Sequence, residues 1–243
     1  MDSLHASAPG ATAHTHGGPL AATLFDLQQI FGDRLQAFVA YGQPAAMPAP
    51  SLALVRTLTG DDLAACAARA SAWHRGGSAT PLLLTRDEFA GSLDAFPVEY
   101  GEIIDTHRLV FGVDPFAGLS IRADDLRRAC EVQVKSHLLH LREDFVECGA
   151  RPAAVAALVT DSAPAFGLLL RHLARLDGDT ATTPAELGAF AERRPGLNPR
   201  VVGDVLALAG DRSAAGVDAV RLFPAYLAAV EQLSHFIDTW KRA

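Results

Sequence analysis

Leu126, Cys130, Val134, Leu138, Leu141, Phe145 and Cys148 recur every three or four positions, and Gly149 ends the series. Only an α-helix, at about 3.6 residues per turn, puts such a series on one face, whereas a strand would scatter it over both faces. An apolar helical stripe must be buried against another element. That requirement shapes everything after about Leu119. Pro152 suits a helix first turn, and helical sequence continues to Asp177 and Gly178, with Pro164 and Gly167 predicting a kink or break inside it. Thr183-Pro184-Ala185-Glu186 is a capping box with proline at the first helical position, and Asn198-Pro199 opens a helix that ends near Gly210. Val220, Phe223, Leu227, Val230, Leu233, Ile237 and Trp240 line a closing helix. Short connections between these helices predict an antiparallel bundle.

The first half has a different rhythm. Leu20, Leu24, Leu27, Ile30 and Phe31 predict a helix, and Leu35–Tyr41 a strand. Gly42–Pro50 reads as a loop, and Ser51–Leu58 as a second strand. Asp61–His74 reads as a helix closed by Gly76 and Gly77, and Leu82–Leu84 as a third strand. Thr85 and Glu88 form a capping box that opens a short helix. Pro97–Ile104 and Leu109–Phe111 are further strand candidates. The predicted fold class is α+β: an N-terminal mixed sheet with helices, residues 20–119, followed by an all-α helical bundle, residues 120–243. Residues 1–19, small and polar, read as a disordered tail, and we assign no metal site to its His5, His14 and His16.

Composition narrows the function classes. Hydrophobic residues make up 49% and charged residues 20%, with a mean hydropathy of +0.16, which suits a chain with a core and not a disordered one. The 28 acidic against 21 basic side chains make nucleic acid an unlikely partner, because phosphate binding favours the opposite balance. Cys66, Cys130 and Cys148 form no CxxC pair, so the expected setting is reduced and cytoplasmic, with the thiols acting as small apolar groups. The longest clean apolar run, Ala153–Val159, is short of the roughly 20 residues of a membrane span, so no membrane association is expected. No signal peptide, nucleophile elbow, phosphate loop or dinucleotide fingerprint is visible.

A helix followed by Phe38-Val39-Ala40-Tyr41-Gly42 and then by a second strand resembles the opening of the nucleotidyltransferase (DNA polymerase β-like) superfamily. The stretches Pro81–Glu88, Leu93–Tyr100 and His107–Gly112 are similar to a bacterial group of uncharacterised nucleotidyltransferase-like proteins in which a helical domain follows. In that superfamily the first strand ends in Gly-Ser, which holds the triphosphate, and the next strand carries Asp-x-Asp. The two aspartates project to one side and hold two metal ions with a third carboxylate. Here the serine position is Gln43, the Asp-x-Asp positions are Ser51 and Ala53, and Glu99 is expected to supply the third carboxylate from a strand. The resemblance implies a vestigial nucleotide site at Tyr41, Gly42, Gln43, Ser51 and Glu99, with no catalytic residue. One glutamate cannot hold two Mg²⁺ ions, which take oxygen ligands mainly from carboxylates. No cofactor is therefore expected, and Mg²⁺ would enter only with an active chemistry. The implied protein is a pseudoenzyme that binds a nucleotide or a protein partner. Two alternatives stay open. One is an active transferase with relocated carboxylates at Asp94, Glu102 or Asp105. The other is an interaction or antitoxin-like module that pairs through the bundle, as a homodimer or with a partner.

Other clusters have plainer readings. His137, His140 and Asp144 have metal-ligand spacing, with His172 a candidate fourth group, but they border the apolar stripe and read as polar residues at a bundle boundary. Arg69 and His74 match the spacing of a helical-domain RNase motif but fall outside the bundle, so no nuclease is predicted. Arg127, Arg142 and Arg171 would face a phosphate if they lay toward the first domain.

Overall fold

The computed structural model describes residues 18–42, 47–210 and 217–241. Gln43 and the three N-terminal histidines lie outside the described residues. The chain divides into two compact units, one up to Ile121 and one from Arg122 onward.

The first unit is α+β. Helix α1 (Pro19–Phe31) leads through a short 3-10 turn into β1 (Leu35–Ala40). Strand β2 (Ser51–Val55), helix α2 (Gly60–Arg75), strand β3 (Leu82–Thr85), helices α3 (Arg86–Gly91) and α4 (Pro97–Thr106) and strand β4 (Arg108–Gly112) follow. The sheet order is β3-β2-β1-β4, with β1 antiparallel to both neighbours and β2 parallel to β3. The mixed sheet follows from connection length. A loop joins β1 to β2, whereas α2 carries the chain back for a parallel β3.

The inner strands are covered on both sides. Ala53 and Val55 of β2 pack with Leu35 and Phe38 of β1, Leu27 and Phe31 of α1, and Cys66 and Trp73 of α2. Leu52 and Leu54 pack on the other side with Ala37, Val39, Phe89, Ile103 and Phe116. All five residues of β2 are buried. Buried polar contacts tie α1 to the rest. The Trp73 indole N–H donates to Asp26 at 2.9 Å, and the Thr23 hydroxyl meets that of Ser78 at 3.1 Å. At the start of α2, Thr59 and Asp62 form a reciprocal cap, and Asp62 also accepts two hydrogen bonds from Arg34 at 2.7 Å. The guanidinium holds the Asp62 carboxyl well below the usual carboxylate range. Gly112 ends β4 at φ +88°, where an added Cβ would lie 2.2 Å from the Gln36 carbonyl oxygen, so only glycine fits.

One predicted strand is a helix. Pro97–Ile104 belongs to α4, with proline in its first turn and Val98, Gly101 and Ile103 buried. Helical dihedrals there let Tyr100 stack on Phe89, ring centroids 4.4 Å apart.

The second unit is helical: α5 (Ala123–Glu147), α6 (Pro152–Leu176), α7 (Pro184–Arg193), α8 (Pro199–Gly210) and α9 (Ala219–Thr239). Helix α6 packs against α5, α7, α8 and α9. It runs unbroken through Pro164, where the expected break does not occur. Ala163, Phe166, Leu169, Leu170 and Leu173 are buried around that point, and this packing compensates for the backbone hydrogen bond that proline removes. Among the described residues α6 is the one helix long and apolar enough to cross a membrane by length and composition. Its buried face is the one that packs in the bundle.

Candidate functional site

The β1–β2 connection carries the first candidate site. β1 ends at Ala40, and Gly42 turns the chain at φ +71°, a conformation that favours glycine. Both polar groups of that peptide position are occupied. The Gly42 N–H donates to the Thr106 hydroxyl at 2.8 Å, and its carbonyl accepts from Arg108 at 3.2 Å. Thr106 in turn donates to the Glu102 carbonyl at 2.7 Å, so the last turn of α4 holds Gly42. The Gly42 amide is therefore satisfied within the chain. Tyr41 is half-buried on the α3/α4 side of the sheet, and burial together with the nearby Glu102 charge raises its phenol pKa.

The other positions are placed differently from the expectation. Strand alternation puts Ser51 on the same side as Ala53, the side packed under α1 and α2. Neither position opens to solvent: Ser51 is 1% exposed and Ala53 0%. The Ser51 hydroxyl has no hydrogen-bond partner among the described residues. Glu99, expected on a strand, is exposed on α4. Asp94 and Asp105 are exposed and Glu102 is half-buried. Among the described residues no three His, Cys, Asp or Glu side chains converge as a metal site.

The bundle holds a second cluster, formed by polar groups between α5, α6 and α9. His137 Nε2 and the Tyr226 hydroxyl share a hydrogen bond of 2.8 Å, and Tyr226 packs edge-on against Phe166. His172 donates from Nδ1 to the Gln133 side-chain carbonyl at 2.8 Å. Burial lowers both imidazoles to about 4, so each is neutral at physiological pH; His140 adds to the effect at His137, and Arg171 and Arg175 add to it at His172. Burial pushes the Tyr226 phenol well up. The spacing of His137, His140 and Asp144 does not bring them together as ligands. His140 is exposed beside Glu143, and Asp144 is exposed. Sequence reading missed the partners Gln133 and Tyr226, which come from other turns and helices and leave no local signal.

The remaining candidates are structural. Arg127 pairs with Glu131 and Arg142 with Glu231, while Arg171 has a buried Nε without a hydrogen-bond partner among the described residues. Arg69 lies near Asp26, and His74 hydrogen-bonds Thr80. Cys66 and Cys130 are buried free thiols, and burial pushes Cys130 up to about 12, which leaves it inert. Comparisons with protein-family models, curated proteins and solved structures return no match for the chain.

Two predictions follow from these placements. Ser51→Ala should leave the melting temperature unchanged or raise it, because it removes an unsatisfied buried hydroxyl. Ala53→Asp should cost at least about 3 kcal/mol in denaturant unfolding, because it buries an unpaired carboxyl among apolar groups. A third prediction concerns pH. The unfolded histidines take up protons near pH 6.5, but the folded ones only near 4, so stability should fall as pH drops through that window. The loss is at most roughly 3 kcal/mol per histidine. Urea melts of the chain and of a His137→Gln/His172→Gln variant check it: the variant should show a flatter profile between pH 6.5 and 4.

Proposed function

We propose that the first unit is a degenerate nucleotidyltransferase-like module that performs no transfer and binds a nucleotide or a protein partner in a reducing, cytoplasmic setting. The observation that carries this reading is the closed position of Ser51 and Ala53. The strand that would present the paired aspartates faces an apolar core on both sides. The position of Gly42 supports it, since the backbone donor that a phosphate cradle would use is already bonded to Thr106. The lack of a converging carboxylate set among Asp94, Glu99, Glu102 and Asp105 favours the inactive reading over a transferase with relocated ligands.

The test is a thermal-shift screen of the full chain against ATP, GTP, CTP and UTP, each with and without Mg²⁺. We expect no metal-dependent stabilisation. A shift that is the same with and without metal assigns a nucleotide as ligand, and no shift with any of them leaves the protein-partner reading in front. A stabilisation of several degrees that requires Mg²⁺ would contradict the proposal.

A further inference from the structure

Helix α5 is tied to its neighbours by two buried hydrogen bonds, and each depends on a neutral histidine. His137 of α5 meets the Tyr226 hydroxyl of α9 at 2.8 Å, and Gln133 of α5 accepts from His172 of α6 at 2.8 Å. Helix α5 packs mainly against these two helices, whereas α6 packs against all the others of the unit. Cys130, Val134 and Leu141 are almost fully buried along the same face. The ion pairs between α5 and α9, Lys135 with Asp238 and Arg142 with Glu231, are about half-exposed and add little to the hold.

Among the described residues no carboxylate acts on either ring. The charged or titratable groups around His137 are His140 on its own helix and Tyr226 on α9, and Tyr226 is also hydrogen-bonded to Ser162 of α6. Around His172 they are Arg171 and Arg175 on its own helix, with neutral Gln133 facing it from α5. An imidazolium in either place would be buried without a counter-ion, and at His172 it would stand beside two guanidiniums. Burial holds both imidazoles down to about 4, against about 6.5 for an exposed ring. A detached α5 leaves both rings in water. We propose that α5 is an acid-released arm: proton uptake by His137 and His172 frees it from α6 and α9 and exposes the apolar stripe that it buries against them. The released form takes up its protons near pH 6.5 and the closed form only near 4, so acid favours release between those values. The device is independent of what the first unit binds.

The test is hydrogen exchange of the full chain, corrected for the intrinsic pH dependence of amide exchange. Between pH 7 and 5 the protection of the α5 amides should fall by about 20-fold for each histidine freed, while α7 and the first unit change little. His137→Gln and His172→Gln, each alone, should remove one such factor. In a Cys148→Ser background, Cys130 should become reactive toward 4,4′-dithiodipyridine at pH 5 while Cys66 stays protected. The exchange and thiol measurements with both histidines in place decide the matter if either glutamine variant fails to fold. Protection of α5 that is the same at pH 7 and 5 overturns the proposal. So does an equal loss in α5, α7 and α8, which would mean unfolding of the whole unit, or a pair of single variants that both keep the full pH dependence.

Discussion

The first unit depends on β2 being buried on both faces. It lies beside β1 at the centre of the sheet, with α1 and α2 on one side and Phe89, Ile103 and Phe116 on the other. Such a strand accepts no ionised group, because an unpaired buried carboxylate costs more than the packing around it can return. In the resemblance read from the sequence, this is the strand that would carry paired aspartates. Here Ser51 and Ala53 are part of the core, and Gly42 after β1 is held by Thr106 and Arg108. Burial and chemistry compete for the same residues, and the sequence at these positions is the one that burial selects.

The second unit buries two histidines, each hydrogen-bonded and neutral. His172 with Gln133 links α6 to α5, and His137 with Tyr226 links α5 to α9. Each pair satisfies groups that would otherwise be costly inside a bundle, and each has defined geometry. Apolar packing supplies most of the stabilisation around them, through Phe166, Leu170, Leu173, Val205, Val230 and Leu233. Phe145 stacked on Phe223 adds an aromatic contact between α5 and α9.

Local signals made much of this fold legible. The Thr85 and Thr183 capping boxes each sit at the N-cap of a helix, as their spacing predicts, and the short apolar runs at Leu35, Ser51, Leu82 and Leu109 fall on the four strands. Pro97–Ile104 was misread because Val98, Tyr100, Ile103 and Ile104 are β-branched or aromatic. Its helical signals, a proline and Glu99 in the first turn with Tyr100, Ile103 and Ile104 three and four apart, were outweighed by that composition. Of the kink or break expected at Pro164, the break is absent: α6 is continuous through it, supported by neighbouring helices, a tertiary effect that no window of sequence contains. The candidate site was legible only in part. The positions of Gly42 and Ser51 were found, but strand alternation alone does not say which face is covered, and the clasp by Thr106 joins residues 64 apart.

The central claim is that this chain transfers no nucleotide. Incubating the full chain with each radiolabelled nucleoside triphosphate and Mg²⁺ or Mn²⁺, beside a Glu99→Gln variant, tests it most directly. The account predicts no label transfer to protein or small-molecule acceptor above background in either protein. Robust transfer by the chain that is lost on Glu99→Gln would contradict it.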